Sequence, residues 1–150
     1  MTKALTGGCQ CGAVRYRLDE APRDGNICHC RMCQKAGGAP FMAFAAVSHD
    51  KFTVTRGTIT AFVSSEIAER GFCVGCGTPL TYRGEGAGHI SVTIGSLDDP
   101  NSIAPQVQLG AESQVHWLPA ALTLPKLSIE RWLSKKNRKN VGSRQHPDRD

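Results

Sequence analysis

Long apolar runs are missing from this sequence. No stretch reaches the ~20 consecutive apolar residues that a membrane-spanning helix needs, and the opening Met1-Thr2-Lys3-Ala4-Leu5 lacks the basic-then-apolar order of a secretion signal. These absences lead us to expect a soluble, cytoplasmic protein with no membrane partner. A dinucleotide fingerprint and a phosphate-binding loop are also missing, so no organic cofactor is expected. The body of the chain has no charge bias: residues 1–125 carry ten basic and ten acidic residues, and the formal +5 comes from eight basic and three acidic residues between Lys126 and Asp150. Without a cationic face or aromatic residues interleaved with basic ones, nucleic acid is not the expected partner.

What is present suits one folded domain. The chain has 150 residues, 40% of them apolar and 21% charged, enough for a single core and too apolar for general disorder. We read residues 1–134 as that domain and 135–150 as a basic, disordered tail. Cysteine is the abundant reactive type, with seven residues in three tight groups: Cys9-Gln10-Cys11, Cys28-His29-Cys30-Arg31-Met32-Cys33 and Cys73-Val74-Gly75-Cys76. An odd count, no export signal and one- or two-residue gaps favour metal ligation over a disulfide framework.

Zinc takes four soft ligands in a tetrahedron, and Cys9, Cys11, Cys73 and Cys76 supply that number. Glycine follows each pair, at Gly12 and Gly77, and Gly75 lies inside the second; such residues permit left-handed turns that aim backbone N–H groups at sulfur. This closed site would be structural. Cys28, Cys30 and Cys33 remain, three ligands for a second zinc with an open fourth position, as in catalytic sites. Three thiolates make zinc a weak Lewis acid, better at holding an incoming thiol as thiolate than at making hydroxide. The alternative is a second structural zinc, with His29, another side chain or water as fourth ligand. His29 is read either as a proton carrier or as a packing residue. Arg31 and Lys35 stand beside the cluster as binders of substrate carboxylates or as plain surface. Glu66, Glu69 and Glu112 are acids or bases that no spacing singles out.

The hydropathy pattern is mainly β. Val14, Tyr16 and Leu18 alternate with Arg15, Arg17 and Asp19, a strand with one covered face. Glu20 to Gly25 reads as a turn, Phe41 to Val47 as a buried strand or short helical piece, and Thr78 to Tyr82 and His89 to Gly95 as further strands. Lys51 to Thr55 and Thr58 to Val63 read as a hairpin closed at Arg56-Gly57. Asp98-Asp99-Pro100-Asn101 is a turn, and Val115, Trp117 and Leu118 are expected to pack on the body. Ser128 to Lys136 fits a short C-terminal helix capped by Ser128.

Taken with their order, Gly8-Cys9-Gln10-Cys11-Gly12-Ala13-Val14, Cys28 to Cys33, Gly37-Gly38-Ala39-Pro40-Phe41, Arg70 to Leu80 and Gly95 to Pro100 resemble the glutathione-dependent formaldehyde-activating enzyme family, also called the Gfa-like or centromere protein V-like domain. The resemblance implies an Mss4-like zinc-binding fold of antiparallel strands. It also implies a structural zinc on Cys9, Cys11, Cys73 and Cys76, and an active-site zinc on Cys28, Cys30 and Cys33 that an incoming thiol can rearrange. The implied activity is addition of glutathione to formaldehyde, giving S-hydroxymethylglutathione, classed as a carbon–sulfur lyase. The family's aromatic pattern ahead of Trp117-Leu118-Pro119 is altered here to Gln108-Leu109-Gly110-Ala111, a departure that bears on the substrate pocket implied by the resemblance rather than on the metal sites. The expectation is thus a zinc-dependent lyase joining a small thiol and a small aldehyde, with a nonenzymatic zinc-stabilised binding module for protein or nucleic acid as the rival.

Overall fold

The computed structural model describes residues 4–136 and 142–149, and within them the chain is β-dominant with a few short helices. The alternating segment after the first cysteine pair becomes the middle of a small sheet. There β2 (Arg15–Leu18) pairs antiparallel with β1 (Leu5–Gly8) on one side and with β5 (Phe52–Arg56) on the other. The second sheet has seven strands. β3 (Arg23–Cys28) and β4 (Met42–Ser48) sit next to β9 (His89–Thr93), followed by β8 (Pro79–Gly84), β7 (Ala68–Phe72) and β6 (Thr60–Ser65) at one edge. The other edge is β10 (Val107–Leu109), which runs parallel to β3.

That parallel pair corrects the expectation of antiparallel strands throughout: the sheet is mixed. The expected hairpin between residues 51 and 63 is corrected too, because β5 joins the small sheet and β6 the large one. Both segments have strand propensity, but propensity does not say which sheet a strand enters. Glu20 to Gly25 is less of a turn than expected, since β3 already starts at Arg23, with an irregularity in its register before Asn26 and Asp24 at φ 54°.

Tyr16 and Leu18 from the small sheet meet Val47, Leu80 and Val92 from the large one, all five fully buried. Cys9 and Cys73 belong to this same core. β4 is buried along nearly its whole length, as expected of the apolar run from Phe41 to Val47, and its alternation sends Met42 and Phe44 to one face and Ala45 and Val47 to the other. Met42 and Phe44 build a second apolar cluster with Cys33, against which Cys28, Cys30 and Tyr82 pack.

Helix α1 (Arg31–Gly37) follows β3 directly, and Gly38 ends it in the left-handed conformation, at φ 59°. The short α2 (Leu118–Ala121) leaves Trp117 exposed, against expectation, while Val115 and Leu118 are half-buried. The expected C-terminal helix is α3 (Ile129–Lys135), whose Ser128 hydroxyl accepts from the Arg131 N–H at 3.2 Å. Residues 137–141 of the expected tail lie outside the described residues. Further on, the His146 N–H donates to the Gln10 carbonyl at 2.7 Å, so this part of the tail rests on the first cysteine turn.

Candidate metal centre and adjoining cavity

Two turns of similar build bring Cys9, Cys11, Cys73 and Cys76 together. The Gly12 N–H closes on the Cys9 carbonyl at 3.0 Å and the Gly77 N–H on the Cys73 carbonyl at 2.8 Å. Gly12 and Gly77 take φ values of 77° and 75°, the left-handed region that only glycine enters without strain. The four sulfurs lie within 4.8 Å of one another. Cys9 to Cys11 is 3.5 Å and Cys11 to Cys73 is 3.9 Å, either side of the about 3.8 Å that a tetrahedron with Zn–S bonds of about 2.3 Å requires.

The chain also supplies groups that favour thiolate here. The Val14 N–H points at the Cys9 sulfur from 3.2 Å; burial raises the Cys9 thiol, but this bond helps bring it below its ordinary value. Burial likewise opposes ionisation of Cys76, yet the hydroxyl and N–H of Thr78 and the Cys11 N–H bring it down to about 6. Burial holds Cys73 above its ordinary value. The donor set is all sulfur, which suits zinc and disfavours hard cations.

The second cluster grows out of the β3–α1 junction. Cys28 ends β3, Cys30 caps α1 by accepting from the Cys33 N–H at 3.4 Å, and Cys33 lies on the first turn facing inward. Their sulfurs also fall within 4.8 Å of one another. Burial raises Cys30, while the Cys33 N–H lowers it, and the outcome is a thiol below its ordinary value. Burial pushes Cys33 up to about 12 against the pull of Arg70, whose Nη2 lies 3.4 Å from the Cys33 sulfur. A buried thiol in that state gains from a metal, which favours its ionised form.

Beside this cluster is a cavity of about 310 Å³. The three cysteines, Arg70 and Tyr82 line it together with apolar Met32, Phe44 and Leu109 and polar Asn26, His89 and Ser91. A larger hollow of about 430 Å³ lies at the far ends of β6, β7 and β8, around Glu66, Glu69 and Arg83. It has no thiol in its lining, so we place the chemistry at the smaller cavity. Glu69 is paired there with Arg83 at 2.9 Å, and neither Glu66, Glu69 nor Glu112 lines the cysteine cavity.

His29 stands beside the cluster without lining the cavity. Its ring is buried, meets Phe41 edge-on at 5.7 Å and places Nε2 2.8 Å from Gln108 Oε1, while Nδ1 has no partner among the described residues. Arg31 is held within α1 by its bond to Gln34 Oε1. Lys35 lines a separate hollow with Met32, Phe62 and Arg70. The altered segment after Val107 forms part of the site: the His29 N–H donates to the Leu109 carbonyl at 2.9 Å, and Leu109 enters the cavity wall.

Arg70 is the residue that sequence reasoning missed. It sits inside a strand whose inward positions are otherwise small or apolar, and an arginine at an inward position of β7 was the one available signal.

The class that this fold and site define is a β-dominant domain with two all-cysteine clusters able to hold metal, one next to a cavity. The chain belongs to the glutathione-dependent formaldehyde-activating enzyme family, whose family model matches residues 4–113. An uncharacterized lyase of Schizosaccharomyces pombe is 34% identical over 77 residues, covering 51% of this chain and 55% of that protein. A Halomonas elongata protein that carries the family's name is 34% identical over 84 residues, covering 51% of this chain and 54% of its own. The chain thus spans about half the length of the curated relatives it matches. The crystal structure of a Rhodobacter sphaeroides protein has a similar fold, with a TM-score of 0.56 and 22% identity over 69% of this chain and 98% of that one.

Proposed function

We propose that this protein is a zinc-dependent enzyme of carbon–sulfur chemistry, adding a small thiol such as glutathione reversibly to formaldehyde or another small aldehyde. The observation that carries this reading is the three-cysteine cluster opening onto a cavity, in contrast to the four-cysteine cluster, which supplies a full set of four ligands. The fold is read as Mss4-like, which the family match supports. Residues 1–134 would form the working domain and 135–150 a tail, with the cytoplasm as the compartment where such thiols stay reduced.

Cys9, Cys11, Cys73 and Cys76 would hold the structural zinc, and Cys28, Cys30 and Cys33 the reactive one. When bound there, the metal supplies an electropositive centre that keeps a substrate thiol ionised at neutral pH. Met32, Phe44 and Leu109 give the cavity an apolar side, and Asn26 and Ser91 offer hydrogen bonds that orient the reactants. The substrate thiol gives its proton to solvent, its sulfur bonds to the carbonyl carbon, the C=O π pair moves to oxygen, and oxygen takes a proton back from solvent. His29 serves as packing that holds the β3–α1 junction.

The test is Cys30→Ser. The variant is expected to keep its fold and one zinc per chain while losing thiol–aldehyde adduct formation. Adduct formation at the wild-type rate would overturn the assignment of the central cluster.

A further inference from the structure

Arg70 is 8% exposed on β7 and has no carboxylate partner among the described residues. Its guanidinium lies over the Tyr82 ring at 5.1 Å, with Nη1 4.0 Å from the Met42 sulfur and Nε buried without a partner. A buried cation in such company needs an anion. The group that meets it is Cys33, at 3.4 Å from Nη2. Three thiolates around a doubly positive ion carry a net charge near minus one, so the two excess charges cancel when metal and arginine are both in place.

We propose that Arg70 is a positioning residue of the central site, holding Cys33 in its ligating orientation and supplying the counter-charge of the three-cysteine centre. The inference rests on the reading of that cluster as a metal site. Arginine suits the role because its charge persists at any working pH and its planar fork can stack on Tyr82 while donating sideways to sulfur. Outer partners of metal ligands orient them and tune their hold on the ion. Arg70 also sits three residues ahead of Cys73 on the strand that leads into the closed cluster. The structural cluster thereby fixes the strand that carries the cation to the reactive one.

The experiment is cobalt(II) and zinc titration of the full chain as wild type, Arg70→Gln and Arg70→Lys, following the sulfur-to-cobalt absorption of each site and release to a chelator. The closed site serves as an internal gauge of folding. Arg70→Gln is expected to bind the first metal as wild type does and the second about 10–100-fold more weakly, with Arg70→Lys recovering much of the loss. Equal affinity of wild type and Arg70→Gln for the second metal would overturn the proposal. If Arg70→Gln loses the closed-site signal as well, Arg70→Lys decides: a second metal held near wild-type strength supports the charge role, and one lost as in a neutral variant overturns it. Adduct formation by Arg70→Gln should return when excess zinc fills the site. A deficit that persists at full occupancy would assign Arg70 to the substrate instead. A wild-type central cluster that takes up no cobalt would remove the metal-site reading itself, an outcome separate from any effect of Arg70.

Discussion

Arg15 Nη1 donates to Asp98 Oδ1 at 2.8 Å, while Nη2 reaches the other carboxylate oxygen, so that β2 is tied to the turn after β9. The Thr6 hydroxyl donates to the same carboxylate, and the Asp98 N–H donates to the Thr6 carbonyl at 3.0 Å. The Arg15 and Asp98 side chains are 3% and 12% exposed. A strand alternation that sends Tyr16 inward would leave Arg15 in solvent, and a turn aspartate would normally face water. Here the two meet beside β1 with little exposure, and Asp98 is a structural anchor as well as a turn former.

Replacing Asp98 removes the negative charge that the Arg15 guanidinium and the Thr6 hydroxyl bind. Asp98→Asn should therefore cost about 3–5 kcal/mol of stability, read from urea unfolding. Burial raises the Asp98 pKa, but bonds from Arg15 and Thr6 outweigh it and leave the folded value below the ordinary one. The folded protein thus holds this proton less tightly than the unfolded chain, so the contribution is complete above the unfolded pKa of about 3.9 and is lost as pH falls through the folded value. Asp98→Asn should flatten the acid limb of Tm against pH. An acid limb of unchanged slope would remove Asp98 from the account.

Gly110 has φ 62°, and a Cβ there would sit 3.0 Å from the Cys30 nitrogen and 3.3 Å from its Cβ. Alanine must adopt a left-handed conformation costing about 1–2 kcal/mol and press on the central cluster at once. Gly110→Ala should weaken metal binding at the central cluster and spare the four-cysteine site. Two-phase chelator release would show this; a slowed or unchanged fast phase would contradict it.

The two clusters should also differ in what their loss does to the fold. Cys73 lies in the main core with Tyr16, Leu18 and Leu80, so Cys73→Ser should remove the structural metal and lower Tm by on the order of ten degrees. Cys33→Ser should remove the other metal with a smaller shift, because its neighbours Met42 and Phe44 form a separate cluster. Calorimetry of both variants alongside metal content tests the asymmetry, and equal losses of Tm would count against it.

Much of this arrangement is legible from spacing. The pairing of Cys9 and Cys11 with Cys73 and Cys76 follows from ligand number and from glycines that permit tight turns beside each pair, and α3 is announced by its Ser128 cap. What escapes the sequence is partnership at a distance. Lys51 to Thr55 and Thr58 to Val63 are both strands, yet alternation reports a covered face and is silent about which sheet covers it. Helix α1 is short and dominated by its cysteine cap, so no periodicity marks it. Arg15 and Arg70 look like surface cations because the groups they meet are 83 and 37 residues away.

Strand β10 has three residues and pairs only with β3, at the margin of the large sheet. It nevertheless brings Leu109 into the cavity wall and Gly110 against Cys30. The cysteines come from other elements, so the Leu109 side chain can change while the metal donors keep their places, whereas Gly110 is held to glycine by its contact with Cys30. What the cavity admits can therefore be altered by a side chain at the sheet's edge, and the buried core that fixes the cysteines is left as it is.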